Sequence, residues 1–188
     1  MEPKDGLAAH LLIATPAMQD PRFARAVIYL CAHTPDGAMG LVVNKPAPGV
    51  DFGDLLDQLG LKQGPGGRAI RVRFGGPVEL GRGFVLHSTD YPGTGATMRI
   101  DADTAMSATT EILASIAEGT GPAEALFALG YAGWGPGQLD AEIADNAWLV
   151  AEARRDIVFD AADDSKWSRA LASLGIDPLL LSPVQGRA

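Results

Sequence analysis

The chain has 188 residues, of which 47% are hydrophobic and 20% charged, and its formal net charge at pH 7 is −8. This composition excludes a chain that is disordered throughout, and the length predicts a single domain over residues 1–188 with a tail from about residue 179. The acidic balance argues against direct nucleic acid binding, because affinity for phosphates comes largely from Lys and Arg.

The chain has a single cysteine, Cys31, so one copy can form neither an intramolecular disulfide nor a cysteine-based metal site. The three histidines are far apart in sequence and lack the spacing of metal ligands. The chain begins without the basic segment of a signal peptide, and its longest apolar run, residues 125–137, is too short to cross a membrane. We therefore predict a cytoplasmic protein with no metal, no cofactor and no membrane association.

Short apolar segments separated by turns fill the first hundred residues. The turn residues 35–37 lie between two β-branched segments and predict a hairpin, and four apolar residues at helical spacing between positions 52 and 59 predict a helix. The predicted elements are strands at residues 11–13, 27–32, 40–43, 71–74, 83–87 and 97–100, and a helix at 52–61. The alternating pattern of residues 71–74 predicts a half-exposed strand.

The second part of the chain, residues 101–188, has 5 basic and 14 acidic side chains. Asp103 or Thr104 is expected to cap a helix that ends at Glu118, and residues 135–137 to open another. The remaining predicted elements are strands at residues 126–132, 148–150 and 157–159 and a helix at 165–174, with a short helix left open at 126–132. Strands outnumber helices and short turns join them, so we predict an α+β fold with a largely antiparallel sheet.

The glycine-rich segment 130–138 (GYAGWGPGQ) is the strongest local feature. A glycine loop before a helix can bind an anion through free backbone N–H groups. The segment lacks the Lys-Ser/Thr ending of a P-loop, however, and Asp140 and Glu142 would add negative charge where a phosphate binds. The simpler interpretation is that the glycines permit a tight turn and Trp134 packs in the core, and both interpretations stay open.

A second glycine turn, residues 75–77, lies in the stretch 62–82, which has five basic side chains and one acidic one. This stretch could contact an anionic ligand, but the simpler interpretation is a solvated face that offsets the acidic second part of the chain. Cys31 and His33 can point to the same side of a strand, as a nucleophile and its base would, but the simpler interpretation is a half-buried apolar row in which the cysteine is a small hydrophobe. Asp140 with Glu142, or Asp163 with Asp164, could supply the paired carboxylates of an acid–base site, but the simpler interpretation is that both pairs are surface acids.

Several motifs occur in order between Leu11 and Phe159. They are Leu12-Ile13-Ala14-Thr15-Pro16 with Met18, Asp20-Pro21-Arg22-Phe23, Gly40-Leu41-Val42-Val43-Asn44-Lys45-Pro46, Gly75-Gly76-Pro77-Val78, Val85-Leu86-His87-Ser88, the glycine-rich segment through Leu139, and Glu142, Ile143 and Asn146 with Trp148-Leu149-Val150. In combination they resemble the YqgE/AlgH family of bacterial proteins.

The resemblance implies a cytoplasmic α+β protein whose sheet curls into a small barrel-like core surrounded by helices. It implies no reaction and supplies no catalytic residues. The family carries the label of a transcriptional regulator, which rests on genetic effects on exopolysaccharide production. The charge of this chain favours an indirect role over direct contact with DNA.

Two classes of function remain open, and the oligomeric state is not predicted. We favour a non-enzymatic regulatory or binding protein that acts through a small ligand or a protein partner. The alternative is an enzyme of unknown class with a cleft near the two glycine segments, which requires His87, Lys45 and Glu142 to face one cavity. The predicted ligand-binding residues are Thr15, Asn44, Lys45, Gly75, Gly76, Pro77, His87, Gly133, Trp134, Gly135, Gln138 and Glu142.

Overall fold

The computed structural model describes residues 6–68, 70–93, 95–108 and 110–181. Within these ranges the chain forms nine strands and five α-helices, with short 3-10 helices at Pro21–Phe23 and Pro178–Leu180. The strands are β1 (His10–Ala14), β2 (Val27–Thr34), β3 (Gly37–Val42), β4 (Val72–Phe74), β5 (Val78–Ser88), β6 (Thr97–Arg99), β7 (Thr104–Ser107), β8 (Ala125–Trp134) and β9 (Trp148–Glu152). The helices are α1 (Phe52–Gln58), α2 (Thr110–Glu118), α3 (Gln138–Ala144), α4 (Arg155–Val158) and α5 (Asp163–Ser173).

The strands belong to one sheet in the order β6-β7-β5-β8-β3-β2-β1-β9, with β4 attached to β8. Strand β4 runs parallel to β8, and the pairs along the main path are antiparallel. Strand β8 pairs with β5 and β4 along its first part and with β3 at its last three residues, so it joins the two halves of the sheet. The curled, largely antiparallel sheet with helices packed on it confirms the predicted α+β architecture.

Strand β1 shows how helices cover the sheet on both faces. Leu11 and Ile13 belong to the core cluster of α4 and α5, whereas Leu12 and Ala14 belong to a cluster on the other face with Trp148. Successive residues of a strand alternate between faces, so a strand that is buried on both sides is apolar throughout. A third cluster packs α1 and α2 against β5 and β8.

Strand β5 contains a bulge at residues 79–82, which we call the β5 bulge. Val78 lies opposite Tyr131 and Gly83 lies opposite Leu129, so the four residues between Val78 and Gly83 leave the ladder. The first bulge residue adopts a φ of 51°, in the left-handed region that residues other than glycine rarely occupy. The bulge separates two cavities that are described below.

Two predicted elements are wrong, because in both places tertiary packing decides the backbone. The helix expected to start near residue 103 begins only at Thr110, since residues 104–107 form β7 and pair with β5. The strand expected at residues 157–159 is instead helix α4 and the turn after it, and its β-branched residues pack into the core beside α5. Apolar composition indicates burial there, not a strand.

The strand expected to be half exposed at residues 71–74 is β4, and it is buried. Val72 is 2% exposed and Arg73 is 4% exposed. Strand β4 lies between β8 and the segment after β3, where the N–H of Phe74 donates to the carbonyl of Lys45 over 2.8 Å. The predicted hairpin, the strand before α3 and the helices at α1 and α5 are confirmed.

Candidate functional site

The two glycine segments predicted from the sequence lie against each other. Gly75 donates its N–H to the carbonyl of Leu129 over 2.8 Å. A Cβ on Gly75 would collide with the carbonyl of Gly130, and a Cβ on Gly76 would collide with the backbone of Tyr131. Glycine is required here because two backbones approach each other too closely for a side chain. This contact places both segments beside one groove.

The groove crosses the sheet next to this contact and has a volume of about 690 Å³; we call it the sheet groove. It lies between the β2–β3 hairpin and the β5 bulge, over β7 and β8. Of the predicted site residues, Gly133 and Trp134 line it, and the glycine turn 75–77 leads directly into its wall at Val78. Its large apolar side chains are Met39, Val78, Phe84, Met106, Tyr131 and Trp134.

Aromatic side chains form the floor of the sheet groove and charges lie at its rim. The ring of Tyr131 meets the ring of Phe84 edge to face, with centroids 5.8 Å apart. The Arg82 guanidinium lies 5.1 Å from the centroid of the Phe84 ring and 3.6 Å from the Glu79 carboxylate. Among the described residues, Asp36 is the one other charged residue that lines the groove. The arrangement suits apolar contact, since two of the three charges pair with each other.

Glu142 supports the glycine-rich segment from helix α3. Its Oε1 accepts from the indole N–H of Trp148 over 3.0 Å and from that of Trp134 over 3.3 Å, and its Oε2 accepts from the Gln138 amide over 2.9 Å. The Gln138 Oε1 accepts in turn from the N–H of Gly135 over 3.0 Å. Four predicted site residues therefore belong to one hydrogen-bonded group, which we call the Glu142 cluster. Trp134, 8% exposed, packs in the core and also lines the sheet groove.

Three other predicted residues lie on the segments that follow β1 and β3. Thr15 donates its hydroxyl to the carbonyl of Asn146 over 2.5 Å. Asn44 accepts from the N–H of the first β2 residue and donates to the carbonyl of Arg25, both over 2.8 Å. Lys45 is half-buried, and desolvation lowers the pKa of its amine. The Thr15 and Asn44 side chains thus tie neighbouring segments of backbone together.

His87 is a residue of β5, lies opposite Ala105 of β7 and is fully buried. Its Nδ1 lies 2.9 Å from the carbonyl of Ser88, which can only accept, so Nδ1 carries the hydrogen and Nε2 accepts from the Ser107 hydroxyl over 2.8 Å. Burial lowers the pKa of His87, which keeps the ring neutral at pH 7. A serine bonded to a histidine is the arrangement of an activated nucleophile, but Ser107 is only 1% exposed.

The enzyme hypothesis requires His87, Lys45 and Glu142 to face one cavity. The structure places His87 inside the sheet and bonds Glu142 to two indoles and an amide. Within the described part of the chain, none of the three lines the sheet groove or three further clefts. The structure brings the glycine segments and the Glu142 cluster together but does not gather these three side chains around a shared cleft.

This fold and the order of its motifs agree with a known family along nearly the whole chain, since residues 11–179 match the AlgH-like family. The chain belongs to this family. A UPF0301 protein of Cereibacter sphaeroides is 55% identical over 182 residues, which cover 97% of this chain and 99% of that protein. A UPF0301 protein of Paracoccus denitrificans is also 55% identical, over 190 residues that cover 100% of both chains. The solution structure of the AlgH protein from Pseudomonas aeruginosa is 42% identical with a TM-score of 0.79, covering 100% of this chain and 99% of that one.

The AlgH-like chain also contains a buried ionic cluster between β4 and α5. Asp163 accepts from the Arg73 Nε over 3.1 Å and lies 3.2 Å from the Lys166 Nζ. Lys166 also donates to the carbonyls of Val43 and Val158, each over 2.8 Å. Lys166 is 0% exposed, and burial lowers the pKa of its amine to about 8, so it is still charged at pH 7. At neutral pH the cluster holds two buried cations, Arg73 and Lys166, and one carboxylate, and the exposed Arg71 also pairs with Asp163 over 3.3 Å.

The prediction that Asp163 is a surface acid is wrong, and so in part is the prediction that residues 62–82 form a solvated basic face. The sequence signal for the buried cluster is the helical spacing that puts Asp163 on one face of α5 with a lysine and three apolar residues, namely Lys166, Trp167, Ala170 and Leu171. From the basic stretch, Arg73 is buried against Asp163, and Arg68 donates to the carbonyls of residues 122 and 123. These arginines bind the protein itself.

Cys31 of the AlgH-like chain is a buried thiol, as predicted. Burial raises its pKa to about 12, so it is not a nucleophile at neutral pH. The polar partners of His33 are other residues: its Nδ1 accepts from the N–H of Leu7 over 3.0 Å, and its Nε2 lies 3.3 Å from the Asp140 carboxylate. In residues 6–68, 70–93, 95–108 and 110–181, no three His, Cys, Asp or Glu side chains form a group that could hold a metal ion. The helices in these ranges are too short or too polar to cross a membrane.

Proposed function

We propose that this AlgH-like protein is a non-catalytic binding protein that recognises an apolar segment of a partner protein in the sheet groove. The observation that carries the proposal is the lining of the groove. Met39, Met106 and Tyr131 are half-buried and extend the central core cluster to the surface. A core that reaches the surface in this way offers apolar contact area that a second chain can bury.

The side chains of the groove are of the types that bind peptide segments well. Methionine adapts its shape to different partners, and Met39 and Met106 both line the groove. Aromatic residues dominate the energetics of protein interfaces, and Tyr131 and Phe84 form the floor. Asp36 at the rim makes no ion pair with a described residue, so a basic residue beside the apolar segment would complement it.

Binding accounts for the groove better than catalysis does. The Arg82 and Glu79 charges pair with each other, and the serine–histidine pair of β7 and β5 is buried. The net charge of −8 and the internal use of Arg68 and Arg73 disfavour contact with DNA. A regulatory role would then act through the bound partner protein.

Peptide selection followed by NMR tests this function. Peptides selected from a random display library on the purified chain are titrated into labelled protein, and backbone amide shifts locate the contact. We expect the shifts to concentrate along the sheet groove. Gly133→Leu should weaken binding at least about tenfold, because it places a side chain in the groove. Its Cβ would meet only the Tyr131 ring, at 3.3 Å, so the fold should tolerate it.

Gly95→Leu is the matched control, since Gly95 is exposed, lies outside the groove and has nothing within 4 Å of an added Cβ. Equal binding by the two variants, or amide shifts on another surface, would contradict the proposal. A parallel thermal-shift screen uses nucleotides, sugar phosphates and common metabolites. A stabilising metabolite whose effect is lost in Gly133→Leu would show that the groove takes a small ligand instead of a protein segment.

A further inference from the structure

A second cavity lies on the other side of the β5 bulge, between α1, α2 and the sheet; we call it the helix cleft. Its volume is about 240 Å³. Six large apolar side chains line it: Leu55, Leu59, Val85, Leu113, Phe127 and Leu129. Most of them belong to the cluster that packs α1 and α2 on the sheet, so the cleft is a gap in a hydrophobic core.

The helix cleft opens to solvent at α1 and at the β5 bulge. Leu59, just after the last turn of α1, is 40% exposed although its side chain is apolar. Gly81 and Gly83 line the bulge side, and a Cβ on Gly81 would have nothing within 4 Å. A Cβ on Gly83 would collide with the ring of Phe127, so glycine there leaves room for the ring beneath the cleft. The two glycines keep this wall free of side chains.

Arg82 is the one charged residue that lines the helix cleft in the described part of the chain. Its side chain is 56% exposed and its partner Glu79 is 52% exposed, at 3.6 Å. Exposed ion pairs of this kind contribute little free energy, so another carboxylate can replace Glu79 as the partner of Arg82. Arg82 lines both cavities, and its guanidinium contacts Phe84 and Glu79, which lie on the sheet-groove side of the β5 bulge. A carboxylate at the mouth of the helix cleft would draw this exposed guanidinium across the bulge, so the apolar cavity and the cation within its reach are complementary to a hydrocarbon chain that ends in an anion.

We propose that the helix cleft binds a short-chain aliphatic carboxylate. The hydrocarbon lies between Leu55, Leu113 and Phe127, and the carboxylate pairs with the guanidinium of Arg82. The hydrocarbon of the ligand is about as long as that of octanoate, because the helix cleft is much smaller than the sheet groove and has room only for a short alkyl chain. Of the residues that the structure describes, Arg82 is the one that lines both the helix cleft and the sheet groove. The apolar side chains of the two cavities are different, so octanol binding and the effect of Leu59→Asp report on the helix cleft alone, and either binding activity can fail in experiment without the other.

Isothermal titration calorimetry with octanoate, octylamine and octanol tests the proposal at pH 7. These probes share one hydrocarbon chain and differ in the charge of the head group. We expect octanoate to bind, octanol to bind about threefold to fivefold more weakly, and octylamine to show no binding. Methyl NMR should place the octanoate-induced shifts on Leu55 and Leu113.

Two variants separate the charge from the cavity. Arg82→Gln should weaken octanoate binding about threefold to fivefold and leave octanol binding unchanged, whereas Leu59→Asp should weaken both. Arg22→Gln is the control, because Arg22 has a similarly exposed side chain, 57%, in another ion pair. The proposal is overturned if octanol or octylamine binds as tightly as octanoate, if Arg82→Gln and Arg22→Gln bind octanoate alike, or if the methyl shifts fall outside the cleft.

Discussion

Trp148 donates its indole N–H to Oε1 of Glu142 over 3.0 Å, and this bond joins the first residue of β9 to helix α3. Trp148 is only 1% exposed, so its N–H has little access to water as an alternative partner. The same carboxylate oxygen accepts from Trp134 at the end of β8. One acidic side chain thus fixes the end of one strand, the start of another and the helix between them, which explains why a carboxylate stands in this otherwise apolar corner.

Replacing Glu142 should therefore destabilise the fold. Glu142→Ala removes the acceptor of two indole N–H groups, and each buried donor left without a partner costs about 1–3 kcal/mol. We expect a loss of about 2–4 kcal/mol in the free energy of unfolding, measured by urea denaturation. Glu142→Gln keeps one oxygen acceptor and should lose about half as much.

Glu152→Ala provides the control, since Glu152 is an exposed acid on the neighbouring strand β9. Its effect should stay within about 0.5 kcal/mol. If Glu142→Ala were as mild as Glu152→Ala, the cluster would not hold this corner together.

The local sequence pattern predicts those elements whose hydrogen bonds join residues that are close together in the sequence. The hairpin of β2 and β3 follows from two apolar segments around a turn, and α1 follows from apolar residues at helical spacing. Residues 104–107 have no such local signature: their strand pairs on one side with the nearby β6 and on the other with β5, which precedes β6 in the chain. A nonlocal pairing can override a helix cap that the sequence alone suggests.

In the candidate site, too, only the residues that lie close together in the sequence could be predicted as a group. The Glu142 cluster lies within one continuous stretch, so its members could be singled out together from the sequence. The sheet groove draws Met39, Phe84 and Met106 from three strands far apart in the chain, and only the strand order brings them together. Tyr131 stands within the glycine-rich segment, directly after Gly130 and two residues before Gly133, and this position is its sequence signal.

The buried cluster of Arg73, Asp163 and Lys166 gives a prediction that depends on charge balance. Asp163→Asn leaves two cations without their carboxylate in the interior and should cost about 3–5 kcal/mol in the free energy of unfolding. Lys166→Met leaves Asp163 paired with Arg73 and removes donors from two carbonyls, so it should cost only about 1–3 kcal/mol. Urea denaturation of both variants at pH 7 measures the order, and a larger loss in Lys166→Met would contradict this account.

His87 should make the stability of the fold sensitive to acid. Its pKa in the folded protein is lowered from the ordinary value of 6.5 by burial, in spite of the hydrogen bond to the carbonyl of Ser88 and the charge of Asp90. Between the folded pKa and 6.5 the unfolded chain binds more protons at this position than the folded chain does. The free energy of unfolding must therefore fall as the pH drops below about 6.5, by at most about 1.4 kcal/mol per pH unit from this residue.

Urea denaturation of the natural chain and of His87→Gln between pH 7.5 and about 5 isolates this contribution. His87→Gln should be less stable at pH 7, because Gln fits the bonds to Ser88 and Ser107 less well, but its stability should depend less on pH. Asp90 does not blur the comparison, since the hydrogen bond from Ser88 lowers its pKa below that of an ordinary aspartate. Parallel pH curves for the two proteins would mean that His87 is protonated as easily inside the sheet as in the unfolded chain, and its buried bond to Ser107 would then not require a neutral ring.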